Sequence, residues 1–161
     1  MNTLQVANNK KRIAIVSHLN KKIDLINWSY ENRKLLKQYD LIAPWLTAAI
    51  LEGTVDTYVY KLPDADAGGD KDLVRLMNEG KIDLMVFIWD PLHATTYESN
   101  VPLLLAKAVE TNIPVACNIP TANLVLSSLN LQNQQQDVKD RVYLHAGRSV
   151  NPSVNALLNV V

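Results

Sequence analysis

Short apolar runs alternate along this chain with longer segments that mix apolar and polar positions. This alternation is typical of βα units, in which parallel strands are buried on both faces by the helices that connect them. It therefore predicts an α/β fold, a three-layer α/β/α domain around a central, mainly parallel sheet of five strands. The predicted strands are residues 12–17, 40–43, 57–60, 83–89 and 114–118.

The segments between these strands are predicted to form the two outer layers. The predicted helices are residues 21–38, 45–52, 70–79, 101–111 and 121–128. Gly80 stands where a helix C-cap is expected before the fourth strand. Pro120 and Thr121 suit the start of a helix after the fifth.

The last part of the chain differs in composition from the rest. With 161 residues, of which 48% are hydrophobic, the chain suits one compact domain, which is expected at residues 1–129. Residues 130–161 are expected to be a polar linker and a C-terminal arm or helix that docks on a neighbouring subunit. The glutamine-rich residues 130–137 are predicted to be a surface loop, and residues 150–161 a short amphipathic helix or arm.

Charge and composition exclude several classes of protein. The formal net charge is zero, which argues against a dedicated nucleic-acid binder. No stretch approaches the roughly 20 apolar residues of a membrane span, and residues 1–9 are polar where a signal peptide has an apolar core. The sequence thus predicts a cytoplasmic protein without nucleic-acid or membrane partners.

The sequence carries no signature of a cofactor or a metal. It has no Walker loop, no Gly-x-Gly-x-x-Gly and no Cys/His spacing suited to zinc. The single cysteine, Cys117, lies in an apolar run and is predicted to be a buried strand thiol rather than a nucleophile.

Two carboxylates are expected at one rim of the predicted sheet, where α/β proteins place their ligands. Asp90 ends the apolar run that begins at Phe87, and Asp70 follows Gly68 and Gly69 about one helix upstream. A carboxylate at such a rim can act as a general base, and glycines let the backbone approach a ligand closely. Each aspartate also has a structural alternative, Asp70 as a helix N-cap and Asp90 as an Asx-turn residue.

Five motifs, taken in order, resemble the methylglyoxal synthase family, and the resemblance runs from about Arg12 to Leu126 in one register. The motifs are His18 after the first strand, Gly68-Gly69-Asp70, Glu79-Gly80-Lys81-Ile82-Asp83, Phe87-Ile88-Trp89-Asp90-Pro91-Leu92, and Asn112-Ile113-Pro114-Val115-Ala116-Cys117-Asn118 with Thr121-Ala122.

The resemblance implies a lyase that eliminates phosphate from dihydroxyacetone phosphate, with no metal or organic cofactor, usually as a homohexamer. Asp70 would remove a carbon-bound proton next to the carbonyl and leave an enediolate that expels phosphate. The candidate catalytic residues are Asp70, His18 and Asp90, and the candidate substrate-binding residues are Lys22, Thr47, Gly68, Gly69 and Tyr97.

Some of these assignments have alternatives. His18 would equally suit a structural, hydrogen-bonded histidine, and Lys22 an exposed residue of a basic helical turn. In the family an arginine from the C-terminal region of a neighbouring subunit reaches the phosphate. Arg141 and Arg148 are candidates for it by position, although both would also suit solvated surface arginines.

The phosphate-binding loops depart from the family pattern. Pro44-Trp45-Leu46-Thr47-Ala48 aligns with Thr-Gly-Thr-Thr-Gly, so that Trp45 is expected to put an indole where glycine leaves room. Asp64-Ala65-Asp66-Ala67 replaces a Ser-Gly contact. Each lost hydrogen bond to a charged group costs roughly 1.5–3 kcal/mol, and a like-charge contact costs about 4 kcal/mol at an effective dielectric of 20. Three lost hydrogen bonds and one like-charge contact together approach the roughly 8 kcal/mol of a micromolar affinity.

The proton-handling positions also differ. Tyr97 stands where the family has a catalytic histidine, while Asn100 and Leu19 each replace an aspartate. A tyrosine, with an ordinary pKa near 10, does not readily shuttle protons at neutral pH. His93 is the nearest substitute in sequence.

These departures favour a divergent member of the family with weakened or lost elimination, acting as a small-ligand-binding or regulatory module. An active methylglyoxal synthase is the first alternative. A structural or partner-binding oligomer is the second, with Trp28, Trp45 and residues 154–161 as interface anchors.

Overall fold

The sheet of this computed structural model is parallel throughout. The structure describes the backbone of residues 10–93, 95 and 98–143, and side chains as far as residue 134. The strands run in the order β3-β2-β1-β4-β5. They are β1 (Arg12–Ser17), β2 (Asp40–Pro44), β3 (Val59–Leu62), β4 (Leu84–Ile88) and β5 (Val115–Ala116).

Six α-helices connect or follow the strands, and short 3₁₀ turns lie at Leu19–Lys21 and Ala65–Ala67. The helices are α1 (Lys22–Glu31), α2 (Arg33–Leu36), α3 (Trp45–Val55), α4 (Gly69–Asn78), α5 (Val101–Glu110) and α6 (Ile119–Tyr143).

The central strands are buried on both faces, as the sequence predicts. All of β4 and the four middle residues of β1 are buried, which is the pattern of a parallel sheet covered on both sides. On one face Val16, Met85 and Phe87 pack with Leu73 of α4 and Leu104 of α5. Right-handed crossovers place the helices between β1 and β3 on the other face, because the strand order runs the opposite way there. The predicted three-layer α/β fold is confirmed.

Local hydrogen bonds and backbone conformation explain why two of the predicted boundaries are wrong. The expected helix 21–38 breaks at Asn32, whose backbone N–H and side-chain amide both donate to the carbonyl of Trp28 (3.0 and 2.9 Å). The third strand begins two residues later than expected, because Asp56 adopts a left-handed conformation (φ 57°) that ends α3.

The expected glutamine-rich loop is helical. The backbone of residues 130–137 belongs to α6, and glutamine, a good helix former, accounts for the difference. The chain divides into a compact unit that ends at Leu126 and a second that begins at Ser127. The expected boundary at residue 129 stays a prediction, and residues 150–161 lie outside the described residues.

Within the described part of the chain, no helix has the length and apolar character needed to span a membrane. Cys117 is half-buried directly after β5, and burial raises the pKa of its thiol.

Candidate active site

Those of the predicted site residues that the structure describes lie at the carboxyl edge of the sheet. The strand order reverses beside β1, since β2 flanks it on one side and β4 on the other, and ligands of open α/β sheets bind at such a reversal. Two cavities open there, of about 470 and 320 Å³, and they share Thr95, Glu98 and Ser99 as walls. A further cavity, of about 450 Å³, lies at the opposite edge of the sheet and has none of the predicted site residues in its described walls.

Both ring nitrogens of His18 make hydrogen bonds. It follows β1, is 1% exposed, and its backbone N–H donates to Ile88 O (3.0 Å). Its Nε2 lies 3.3 Å from the carbonyl oxygen of Ser99, and its Nδ1 accepts the N–H of Asp90 at 3.4 Å. The tautomer with hydrogen on Nε2 satisfies both contacts. The edge of Trp89 packs against the ring at 6.0 Å, so the imidazole has one orientation.

Asp70 lies in the first turn of α4, where the helix dipole favours a carboxylate. Its Oδ2 accepts the backbone N–H of Asn100 at 2.8 Å. Its Oδ1 is buried and has no hydrogen-bond partner among the described residues. Leaving a buried acceptor unpaired costs roughly 1–3 kcal/mol. The structural alternative of Asp70 as an N-cap does not hold, since α4 has no side-chain cap bond. One oxygen is therefore fixed and the other is buried without a described partner, and Asp70 lines neither of the two cavities.

The two glycines before Asp70 bring its helix close to the preceding turn. Gly68 has a φ of 101°, a value that side chains disfavour. A Cβ on Gly69 would lie 2.0 Å from the carbonyl oxygen of Pro63. No larger residue fits at Gly69 unless the backbone moves.

Lys22 and Thr47 meet on the wall of the larger cavity. Lys22 Nζ donates to Thr47 Oγ1 and to the carbonyl of Ser17, both at 3.0 Å. Burial lowers the pKa of Lys22 to about 8, although the nearby carboxylates of Glu98 and Asp64 oppose the shift. A partly desolvated ammonium beside a hydroxyl suits an anionic ligand.

The residues that replace the family's phosphate-binding loops form part of the wall of the larger cavity. Pro44, Leu46, Asp64 and Asp66 lie on its walls. Trp45 does not block it: the indole is 61% exposed and lies under Lys61 Nζ, which is 5.6 Å from the ring centre. The expected steric obstruction by Trp45 is wrong, because the first turn of α3 points this side chain outward.

Asp90 is engaged as a turn residue. Its carboxylate accepts hydrogen bonds from the backbone N–H of Leu92 (2.9 Å) and from Asn20 Nδ2 (2.7 Å). It also pairs with His93 Nδ1 (2.8 Å). The hydrogen bonds from His93 and Leu92 lower the pKa of Asp90 to about 2. A carboxylate with three partners and so low a pKa favours the Asx-turn alternative over proton transfer.

Glu98 is the functional candidate that the sequence reasoning missed. It is 12% exposed and its Oε2 lies 4.0 Å from His18 Nδ1. The backbone N–H of Leu19 donates to Oε1, and both N–H and Oγ1–H of Thr95 donate to Oε2 (2.9 and 3.2 Å). These N–H donors hold the pKa of Glu98 below its ordinary value against the opposing effect of burial. The sequence held one signal for it: Leu19 replaces the aspartate that the family has beside this histidine, so a carboxylate near His18 had to come from elsewhere in the chain.

Three predicted residues lie beyond what the structure describes. They are Tyr97, the side chain of Arg141, and Arg148. Asn100, which replaces an aspartate of the family, is described: its side chain caps α5 through the N–H of Leu103 (3.1 Å).

Comparison with known proteins finds close relatives, although no family model matches the chain. It is 35% identical over 119 residues to methylglyoxal synthase from Pseudoalteromonas atlantica, covering 74% of this chain and 88% of that protein. It is 40% identical over 119 residues to methylglyoxal synthase from Yersinia pestis (strain Pestoides F), with coverages of 74% and 77%. The crystal structure of methylglyoxal synthase from Elizabethkingia anophelis NUHP1 superposes with a TM-score of 0.69 at 33% identity, covering 73% of this chain and 78% of that one.

Proposed function

The chain belongs to the methylglyoxal synthase family, and on that premise we propose that it is an active lyase converting dihydroxyacetone phosphate to methylglyoxal and phosphate. Relatives that carry the synthase name align along most of their length. They favour this reading over the expectation of lost activity, and the outward position of Trp45 removes one of the objections.

The observation that carries the proposal is the buried Oδ1 of Asp70, which has no hydrogen-bond partner among the described residues. A native protein seldom leaves such an atom unsatisfied without a use for it. The N–H of Asn100 fixes the other oxygen at 2.8 Å, so the carboxylate presents one lone pair in a set direction. A carboxylate held in this way can act as a general base, although Asp70 lines neither cavity here, so substrate must reach it by a local movement of the loop before α5.

The reaction balances with residues of this chain alone. Asp70 takes a proton from the hydroxymethyl carbon next to the carbonyl, and the C–H electrons form an enediolate. His18 lies on the wall of the smaller cavity, and to donate to the developing oxyanion its Nε2–H must exchange the carbonyl of Ser99 for the substrate oxygen. The hydroxyl proton moves to the former carbonyl oxygen, and the electrons of the enediolate then break the C–O bond to phosphate. The leaving phosphate takes the proton from Asp70, and the enol that remains tautomerises to methylglyoxal.

Lys22 and Thr47 would hold the phosphate group in the larger cavity. Asp64 and Asp66 share that cavity and oppose a dianion, at about 4 kcal/mol for a like-charge pair near 4 Å at an effective dielectric of 20. We therefore expect turnover with weak substrate binding, that is, a high KM.

The test is methylglyoxal formation from dihydroxyacetone phosphate by the purified protein and by Asp70→Asn. General-base catalysis contributes roughly 100- to 10,000-fold, so the variant should lose at least about 100-fold in kcat. Asp72→Asn is the matched control, because Asp72 lies two residues further along α4 and pairs with Arg75. Absence of product from the wild-type protein at high substrate would refute the proposal.

A ligand-binding or regulatory module is the second candidate, favoured by the carboxylates of Asp64 and Asp66 beside Lys22. Its ligand would be less anionic than a triose phosphate. A thermal shift with neutral or cationic metabolites, and none with dihydroxyacetone phosphate, would select it.

We further propose that the protein forms a homo-oligomer. Four large apolar side chains recur at helical spacing on the 3₁₀ turn before α1 and on α1 itself, and all are exposed. This apolar stripe consists of Leu19 (64%), Ile23 (74%), Ile26 (41%) and Tyr30 (56%). Exposed apolar side chains repeated along one stretch of a helix favour association.

A further inference from the structure

Three consecutive residues of the loop before α5 each contact a candidate catalytic group or its neighbour. Glu98 binds the backbone N–H of Leu19, next to His18. The carbonyl of Ser99 accepts from His18 Nε2 at 3.3 Å, and the N–H of Asn100 donates to Asp70 Oδ2 at 2.8 Å. We call residues 98–100 the clasp.

We infer that the clasp positions His18 and Asp70 relative to each other, and that the carboxylate of Glu98 anchors it as a positioning residue. The inference rests on the proposed lyase function for its kinetic part. It assigns to Glu98 the role left vacant by Leu19, which has no side-chain acceptor.

Only the first of the three contacts is made by a side chain of the clasp. Ser99 and Asn100 hold His18 and Asp70 through backbone atoms, so their positions depend on where the loop lies. Glu98 ties that loop to the start of the 3₁₀ turn after β1 through Leu19, and folds the loop on itself through Thr95. Its carboxylate is thus the link between the loop after β4 and the segment that carries His18.

The donors around Glu98 require two acceptor oxygens. The N–H of Leu19 faces Oε1, while the N–H and hydroxyl of Thr95 face Oε2. Gln at this position has one acceptor and one NH₂ group, so that one backbone N–H faces another donor. Glu98→Gln keeps the shape of the side chain but removes the anchor together with the negative charge that raises the pKa of Lys22, so its kinetics are measured well below pH 8, where Lys22 stays charged.

The kinetic test compares Glu98→Gln with Glu110→Gln. Glu110 is an exposed acid at the far end of α5 that pairs with Lys107, and its variant should behave as wild type. Displacing catalytic groups by about 1 Å costs on the order of 100-fold. We expect Glu98→Gln to lose roughly 10- to 100-fold in kcat with KM within about threefold of wild type. A loss carried by KM alone, or wild-type kcat, would overturn the inference.

A second readout does not need activity. Amide hydrogen exchange should accelerate at Leu19 and Asn100 in Glu98→Gln, while amides of β4 keep their protection. If the wild-type protein makes no methylglyoxal, the proposed function fails but faster exchange still supports the clasp. Unchanged exchange at both amides would overturn the clasp whatever the activity.

Discussion

We expect the ionisation of Lys22 to control the affinity of the larger cavity for anions. Burial lowers its pKa to about 8, against the opposing charges of Glu98 and Asp64, so its positive charge is present below pH 8 and lost above it. A phosphate monoester is already a dianion there, since its second pKa is near 6. A change in the affinity for the phosphate monoester above pH 7 therefore comes from ionisation of the protein and not of the substrate.

We expect KM for dihydroxyacetone phosphate to rise as pH increases from about 7 to 9, and steady-state kinetics across this range would measure it. Lys22→Arg is the informative variant, because a guanidinium stays charged and its KM should stay flat. A rising KM in that variant would assign the effect to another group. Unfolding does not imitate this trend: unfolded Lys22 binds more protons than folded Lys22 between pH 8 and 10.5, so its contribution to stability increases with pH.

Asp90 gives a prediction of the opposite kind, about folding in acid. Its pKa of about 2 lies below the ordinary 3.8, chiefly because of the hydrogen bonds from His93 and Leu92. The stabilisation is therefore complete above about pH 4 and is lost as pH falls towards 2. Asp90→Asn should have a lower Tm than wild type at pH 6, and the difference should shrink near pH 2. A difference that persists in acid would show that the charge of Asp90 is not what stabilises the turn.

The junction between the Ala65–Ala67 turn and α4 depends on a close backbone approach at Gly69. Gly69→Ala would force its Cβ against Pro63 O, 2.0 Å away. Overpacking of this kind costs about 1–3 kcal/mol in the free energy of unfolding, and the shift should carry Asp70 away from Asn100. The free energy of unfolding, measured by chemical denaturation, and kcat should both fall.

The matched control for that substitution lies in α3. A Cβ on Gly53 would meet nothing within 4 Å, so Gly53→Ala should raise the free energy of unfolding by about 0.5–1 kcal/mol. Equal losses of stability from both substitutions would contradict the close approach at Gly69.

Helices and strands were predictable where one periodicity dominates, and less so where side chains act on the backbone. The run from Arg12 to Ser17 is apolar throughout its middle and forms β1 with the predicted ends. The break at Asn32 depends on an amide that bonds back to Trp28 O, which no periodicity reveals. Residues 130–137 were read as a loop from their polarity, yet polarity does not oppose a helix made of glutamine.

The apolar stripe on and before α1 makes a prediction about assembly. The chain has a mass of 18.0 kDa, and light scattering should give a multiple of it. Ile23→Lys, in the middle of the stripe, should lower that mass, because burying an unpaired ammonium in an interface is costly. Val109→Lys on α5 is the control, as Val109 is equally exposed (71%) but lies outside the stripe. A monomeric wild type would contradict the homo-oligomer.

The place of the site in the molecule was predictable, while its internal contacts were not. Parallel strands bring their carboxyl ends to one edge, so Asp90 and Asp70 could be assigned to one rim from the sequence. The outward turn of Trp45 and the contacts of Glu98 depend on side-chain directions and loop paths. These follow from packing, which the sequence pattern does not encode locally.

The contacts of the clasp join residues that are far apart along the chain. His18 and Ser99 are separated by 81 positions, and Asp70 and Asn100 by 30. Closing long loops makes such contacts slow to form during folding, whereas helices form from local contacts. Refolding should thus recover helical circular dichroism before it recovers enzymatic activity, and the interval between the two would be a kinetic measure of how late the clasp closes.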